Sequence, residues 1–132
     1  MTRSAEDIVA AGRALIGAPF RPQGRSAATG LDCLGVVAIA AGAELGKTRR
    51  DYGLRDFAPE AIGRALEGLG FRPVTDGTAR PGDILIAATA PGRLHAAIVT
   101  PDGHLHADAG LRRVVEAPGP APWPVISAWR IS

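Results

Sequence analysis

The sequence predicts an α+β domain, with helices gathered in the N-terminal half and an antiparallel sheet after them. Three observations predict it. Up to residue 70 the apolar residues recur at helical spacing, and from Phe71 onward they come in short runs and alternations bounded by turn residues. The length, 132 residues, suits one domain that buries roughly two-thirds of its unfolded surface. There is no internal repeat, so residues 1–132 read as a single unit.

Ser4, with Asp7 three residues on, resembles a capping box. Ile8, Ala11 and Leu15, flanked by Val9, Gly12 and Ile16, continue a helical stripe to Gly17-Ala18-Pro19. Residues 17–30, with Gly17, Pro19, Pro22, Gly24 and Gly30, read as a long irregular loop, of the kind that often lines a cleft. Asp32 then N-caps a helix whose first residue is Cys33. Val36, Val37, Ala40 and Ala41 give this helix an apolar face, and it is expected to reach about Leu45 with Gly46 as C-cap. Residues 46–57 are polar and read as surface loop. Pro59 fits the first turn of another helix, buried through Ile62, Leu66 and Leu69 and ended by Gly70. Strands are expected at 71–74 (an edge), 84–88, 94–99, 104–108, 111–116 and 125–131. Turn signals separate them at Pro81-Gly82, Pro91-Gly92, Asp102-Gly103, Gly110 and the proline-rich stretch 118–124. Trp123 and Trp129 are expected to pack inward.

A net charge of +2, with arginines scattered, lacks the basic stripe and interleaved aromatics of a nucleic-acid binder. One cysteine in the chain leaves neither an internal disulfide nor a multi-cysteine zinc finger. No apolar run approaches a membrane span. Glu6 and Asp7 stand where a secretory signal would be apolar, so export, if any, is expected to use another route.

Cys33 carries the first chemical signal. At a helix N-terminus the orphan N–H groups and the helix dipole favour an anion, so its thiol pKa is expected below the free value of about 8.5. The plainer reading is a small cysteine packed as a hydrophobe. All three histidines fall in one predicted hairpin. With a two-residue turn at Asp102-Gly103, His95, His104, His106 and Asp108 share one face, while Ala96, Ile98, Leu105 and Ala107 enter the core. In that register His106 faces Val99, roughly 13 Å along the strand from His95 at about 3.3 Å per residue, and Asp108 lies nearer. A bulge or a wider turn around Pro101 would change this. The histidines could be solvent-facing without a role. They could serve a Cys33 nucleophile, with His95 as general base and a third polar residue orienting it. Or His104 and His106, with His95 or Asp108, could bind a metal such as zinc.

Five motifs in order, Gly17-Ala18-Pro19-Phe20, Leu31-Asp32-Cys33-Leu34-Gly35, Arg80-Pro81-Gly82-Asp83-Ile84-Leu85, His95-Ala96-Ala97-Ile98-Val99 and Asp102-Gly103-His104-Leu105-His106-Ala107, resemble the NlpC-type cell-wall cysteine peptidases. These are compact papain-like domains that cleave peptide stems of bacterial peptidoglycan, and the match spans residues 15–108. The resemblance implies an NlpC-type fold with Cys33 as nucleophile, His95 as general base and His106 as the third residue. It implies a Cys33 N–H in an oxyanion hole, Asp32 and Phe20 in substrate binding, and neither cofactor nor metal. Asp32 holds the position that in some relatives helps bind the free amine of a trimmed stem. The Asp-Cys-Leu-Gly variant and the short length look most like members encoded by phages, prophages and gene-transfer agents, in which the peptidase sits at the tail tip. That implies tail hub or baseplate proteins as partners beside the stem peptides, with no nucleic acid and no membrane insertion. Phe20 stands where the family usually has Tyr, and Leu34 where many members have Ser. A structural tail component with a degenerate peptidase fold is the alternative those departures motivate.

Overall fold

The computed structural model describes residues 3–21, 25–26, 30–42 and 59–132. Among them run α1 (Ala5–Arg13), β1 (Arg25–Ser26), β2 (Gly30–Leu31), α2 (Cys33–Ala40), α3 (Pro59–Gly68), β3 (Phe71–Pro73), β4 (Ile84–Ala90), β5 (Arg93–Val99), β6 (Gly103–Asp108), β7 (Arg113–Pro118) and β8 (Val125–Ile131). Strands β3 to β8 form one antiparallel sheet in the order β3-β8-β4-β5-β6-β7. The expected α+β architecture is what the chain adopts.

The capping box opens α1, with the Asp7 N–H on Ser4 Oγ at 3.1 Å and the Ser4 N–H on Asp7 Oδ2 at 3.2 Å. Ile8, Val9 and Gly12 are buried. Because α1 stops at Arg13, Ile16 leaves the stripe and is 49% exposed. Gly12 lets α1 lie close on the sheet, where a Cβ would come within 3.2 Å of Ile98 Cδ1.

Helix α2 is capped as expected, by Asp32 Oδ1 accepting from the Gly35 N–H at 2.7 Å. Its apolar surface is not confined to one face. Every residue from Cys33 to Ala40 except Ile39 is buried, the signature of a helix enclosed by its own core. It also ends at Ala40 rather than near Leu45, because Ala41 caps it and Gly42 turns to φ +78°. Leu45, Gly46 and the expected loop 46–57 lie outside the described residues. Helix α3 buries Ile62 and Leu66 as anticipated, and Gly63 sits 3.2 Å (for a Cβ) from the Trp129 ring.

The segment before Cys33 is not irregular throughout. Gly17 and Phe20 donate their N–H groups to the carbonyls of Val114 and Arg112 at 2.9 Å, and Val114 N–H returns to Ala18 O at 2.8 Å. Residues 17–20 therefore run along the outer edge of β7. Leu31 is tied to the same segment through Pro19 O at 2.8 Å and Arg21 N–H at 3.0 Å. Gly30, at φ +133°, is what permits this crossing, since a Cβ there would press on Arg21 Cβ at 2.5 Å. Pro22 and Gly24 lie outside the described residues.

The turn between β5 and β6 sits one residue earlier than the sequence suggests. Thr100 and Gly103 close it through paired backbone hydrogen bonds, leaving Pro101-Asp102 at its tip. Proline is pre-set for the first tip position. Gly103 instead begins β6, so close to β7 that a Cβ would collide with the Ala117 carbonyl. The pairs are Ile98 with Leu105 and Val99 with His104. This ladder has only those two pairs, whereas β4–β5 and β6–β7 each have six. Strands β5 and β6 therefore part beyond Ile98 and Leu105. Helix α2 packs against both at that split. Strand β7 begins at Arg113 rather than at 111, because Leu111 and Arg112 (φ +61°) form the preceding turn.

Candidate active site

The earlier turn moves His106 two residues closer to His95. Continuing the observed register would set His106 opposite Ala97, one same-face step from His95, a diagonal within reach of two imidazoles. The rings meet. His95 Nε2 and His106 Nδ1 are 2.8 Å apart, with ring planes at 89°. His104 stacks on His106 at a centroid distance of 5.5 Å and donates its Nδ1–H to Gly119 O at 3.0 Å. Neither His104 nor His106 faces solvent, since both are buried.

Trp123 closes the group. Its ring stands edge-on to His95, His104 and His106 at 5.0, 5.7 and 5.1 Å. It therefore roofs the imidazoles rather than joining Trp129 in the core, a role with no sequence signal beyond its place in a proline-rich connection. Burial pulls His95 down to about 4, reinforced by His106 and His104 and opposed by the Asp108 carboxylate. His106 is lowered as well, again chiefly by burial and again opposed by Asp108. Both rings are neutral near pH 7.

Cys33 begins α2 at the split between β5 and β6. The backbone N–H groups of Ala96, Leu34 and Cys33 itself reach its sulfur, so the thiol lies against the residue that follows His95. The expected acidification does not occur. Burial first, and the Asp32 charge second, push the thiol up to about 12 against those three N–H groups. Desolvation of a residue only 2% exposed outweighs the helix terminus. At rest the Cys33 thiol and the His95 imidazole are both neutral.

Asp32 is fully buried, with Oδ1 on the Gly35 N–H. Phe20 is tied through its backbone to Arg112 and bridges Leu31, and its side chain packs on the core. Asp108 turns Oδ2 toward His106 Nε2 at 4.0 Å, so it neighbours His106 rather than replacing it. Among the described residues no group of three or more His, Cys, Asp or Glu is arranged to hold a metal ion. An open cavity of about 600 Å³ over Leu85, Val99 and Val125 touches the cluster only through His104 and includes neither Cys33 nor His95.

No family model matches the chain, and no curated protein matches it. Solved structures do. The P60 domain of an antigen from M. avium subspecies paratuberculosis superposes with a TM-score of 0.65 at 21% identity, over 96% of this chain and 93% of that one. The fold is that of an NlpC/p60 domain. The NlpC/p60 domain of the peptidoglycan hydrolase SagA gives 0.58 at 23% identity, covering 88% and 90%. The peptidoglycan hydrolase RipB from Mycobacterium tuberculosis gives 0.63 at 21%, covering 96% of this chain and 64% of that one. Within this NlpC/p60 fold the helix that starts at Cys33 and the strand that carries His95 are direct neighbours, which is the juxtaposition the sequence motifs imply.

Proposed function

We propose that the protein is a cysteine peptidase or amidase that hydrolyses peptide-stem bonds of bacterial peptidoglycan. The observation that carries this reading is the 2.8 Å contact between His95 Nε2 and His106 Nδ1, on the strand whose next amide, that of Ala96, reaches the Cys33 thiol. A base whose far nitrogen is held by a partner is the arrangement nucleophilic catalysis needs. His95 takes the thiol proton as the sulfur bonds to the scissile carbonyl carbon. The resulting oxyanion is met by backbone donors at the start of α2, the Cys33 N–H first among them. The C–N bond then breaks, the amine leaves with the proton from His95, and water hydrolyses the thioester. Since the resting thiol is neutral, attack and proton transfer occur together once substrate displaces water. Asp32, next to Cys33 in sequence, and Phe20, which bridges Leu31 two residues before Cys33, are assigned to the substrate side of this site. Cys33→Ala should abolish digestion of purified sacculi, and digestion at the wild-type rate would refute the mechanism.

The motif resemblance further supports a place at the tail tip of a phage or phage-like particle, docked to hub or baseplate proteins and acting on the cell wall. Co-purification of the chain with assembled tails would test it. A second reading, a structural tail component that keeps the fold without turnover, draws on the burial of Cys33 and its high thiol pKa. Release of soluble muropeptides by the wild-type protein would exclude that reading.

A further inference from the structure

Between His95 Nε2 and His106 Nδ1, 2.8 Å apart, there is room for one proton, and who owns it decides whether His95 can act as a base. If His106 donates from Nδ1, neutral His95 must carry its own proton on Nδ1, and that nitrogen accepts nothing. If His95 donates from Nε2, its Nδ1 keeps a lone pair. The two arrangements differ at a third atom, His106 Nε2, which is bare in the first and protonated in the second.

Asp108 Oδ2 lies 4.0 Å from that atom. A carboxylate there attracts an N–H and repels a lone pair, and inside a buried cluster the preference is stronger than in water. Asp108 is also held in place, because its Oδ1 accepts the Leu111 N–H at 2.9 Å. Of the other neighbours, His104 spends its Nδ1–H on Gly119 O and lies face-on to His106, Trp123 stands perpendicular to the ring, and the Ala107 backbone accepts from the His106 ring without displacing the contact to His95.

We propose that Asp108 is a positioning residue that, acting through His106, holds His95 in the Nε2–H tautomer with Nδ1 free to take a proton. Its catalytic consequence rests on the peptidase reading above, whereas the protonation pattern stands by itself. The test uses the full chain labelled with ¹⁵N-histidine and read by NMR at pH 7.5. Both His95 and His106 should be Nε2–H tautomers in the wild type. In Asp108→Ala the two rings should shift toward the opposite tautomer. Asp108→Asn, which keeps an acceptor for Leu111, covers the case in which the alanine variant misfolds, and it too should shift. In sacculus digestion, kcat should fall roughly tenfold, the loss when the competent tautomer drops to about a tenth of the population. KM should stay within about twofold, and Asp108→Glu should restore part of kcat. His106 protonated on Nδ1 in the wild type, or tautomers unchanged in both variants, would overturn the proposal. A wild-type protein inactive on sacculi would instead defeat the peptidase reading, and the NMR result would still decide the role of Asp108.

Discussion

His95 shows what burial does to a single residue. Its folded pKa of about 4 lies below the unfolded value of about 6.5, so the unfolded chain takes up a proton first as the solution is acidified. Stability from this group is complete above pH 6.5 and is lost as pH falls through the folded pKa. The loss amounts to about 3 kcal/mol at about 1.4 kcal/mol per unit. His95→Gln should flatten the fall in unfolding free energy between pH 7 and pH 4 by that order, measured by urea titration at each pH. An equal slope in the variant would mean that His95 is not buried as the neutral ring. For the proposed peptidase activity, the same group sets the acid limb. The rate constant kcat/KM should stay level through pH 6.5 and decline only near 4, where an exposed histidine would already have silenced the enzyme. Cys33 teaches the companion lesson. Its position at a helix start was plain from Asp32 and the apolar run, yet the direction of its thiol pKa was not, because enclosure by strands far along the chain outweighs a local dipole.

Helices and turns were readable wherever one local device decides them, and misplaced where two compete. Ser4 with Asp7, Asp32 before Cys33, and Pro59 each mark a helix start that the structure keeps. The end of α2 was missed because Gly42 stops it before the stronger-looking Gly46. In the β5–β6 hairpin, Asp102-Gly103 looks like the tip by composition, but Gly103 is claimed by the tight approach to Ala117. That competition is invisible without β7. Gly103→Ala should therefore cost about 2–3 kcal/mol, as forced overpacking against backbone does. It should also broaden the His95 and His106 ring signals in NMR, since the turn sets their register. A variant as stable as wild type would show that β6 and β7 can part at no expense. Asp32→Ala should cost about 1–2 kcal/mol by removing the cap of α2, read in a denaturant melt. It should also lower the Cys33 thiol pKa, because a neighbouring negative charge is lost. A thiol titrating unchanged in that variant would contradict the assigned cause.

At the scale of the whole molecule, the sheet is held to the helices by a few large contacts. Trp129 is one. It pairs with Ile84 and Pro73 on the two flanking strands and meets Gly63 of α3 with its ring. Trp129→Ala should cost about 3–5 kcal/mol and lower the melting temperature by about 10–20 °C, and a smaller drop would mean that α3 is anchored elsewhere. The α+β class and the strand segments of the second half follow from the change of period at Phe71. The position of β8 does not, because nothing in Val125-Ile126-Ser127 announces which edges it will join. It lies between β3 and β4, although it is the most distal strand in the chain. A ribosome that has delivered only residues up to Pro124 presents β4 with the row Ile84-Leu85-Ile86 lacking its β8 partner, and β3 with no partner strand among the described residues. The nascent domain must be kept from joining other chains through that open edge until its closing strand leaves the exit tunnel.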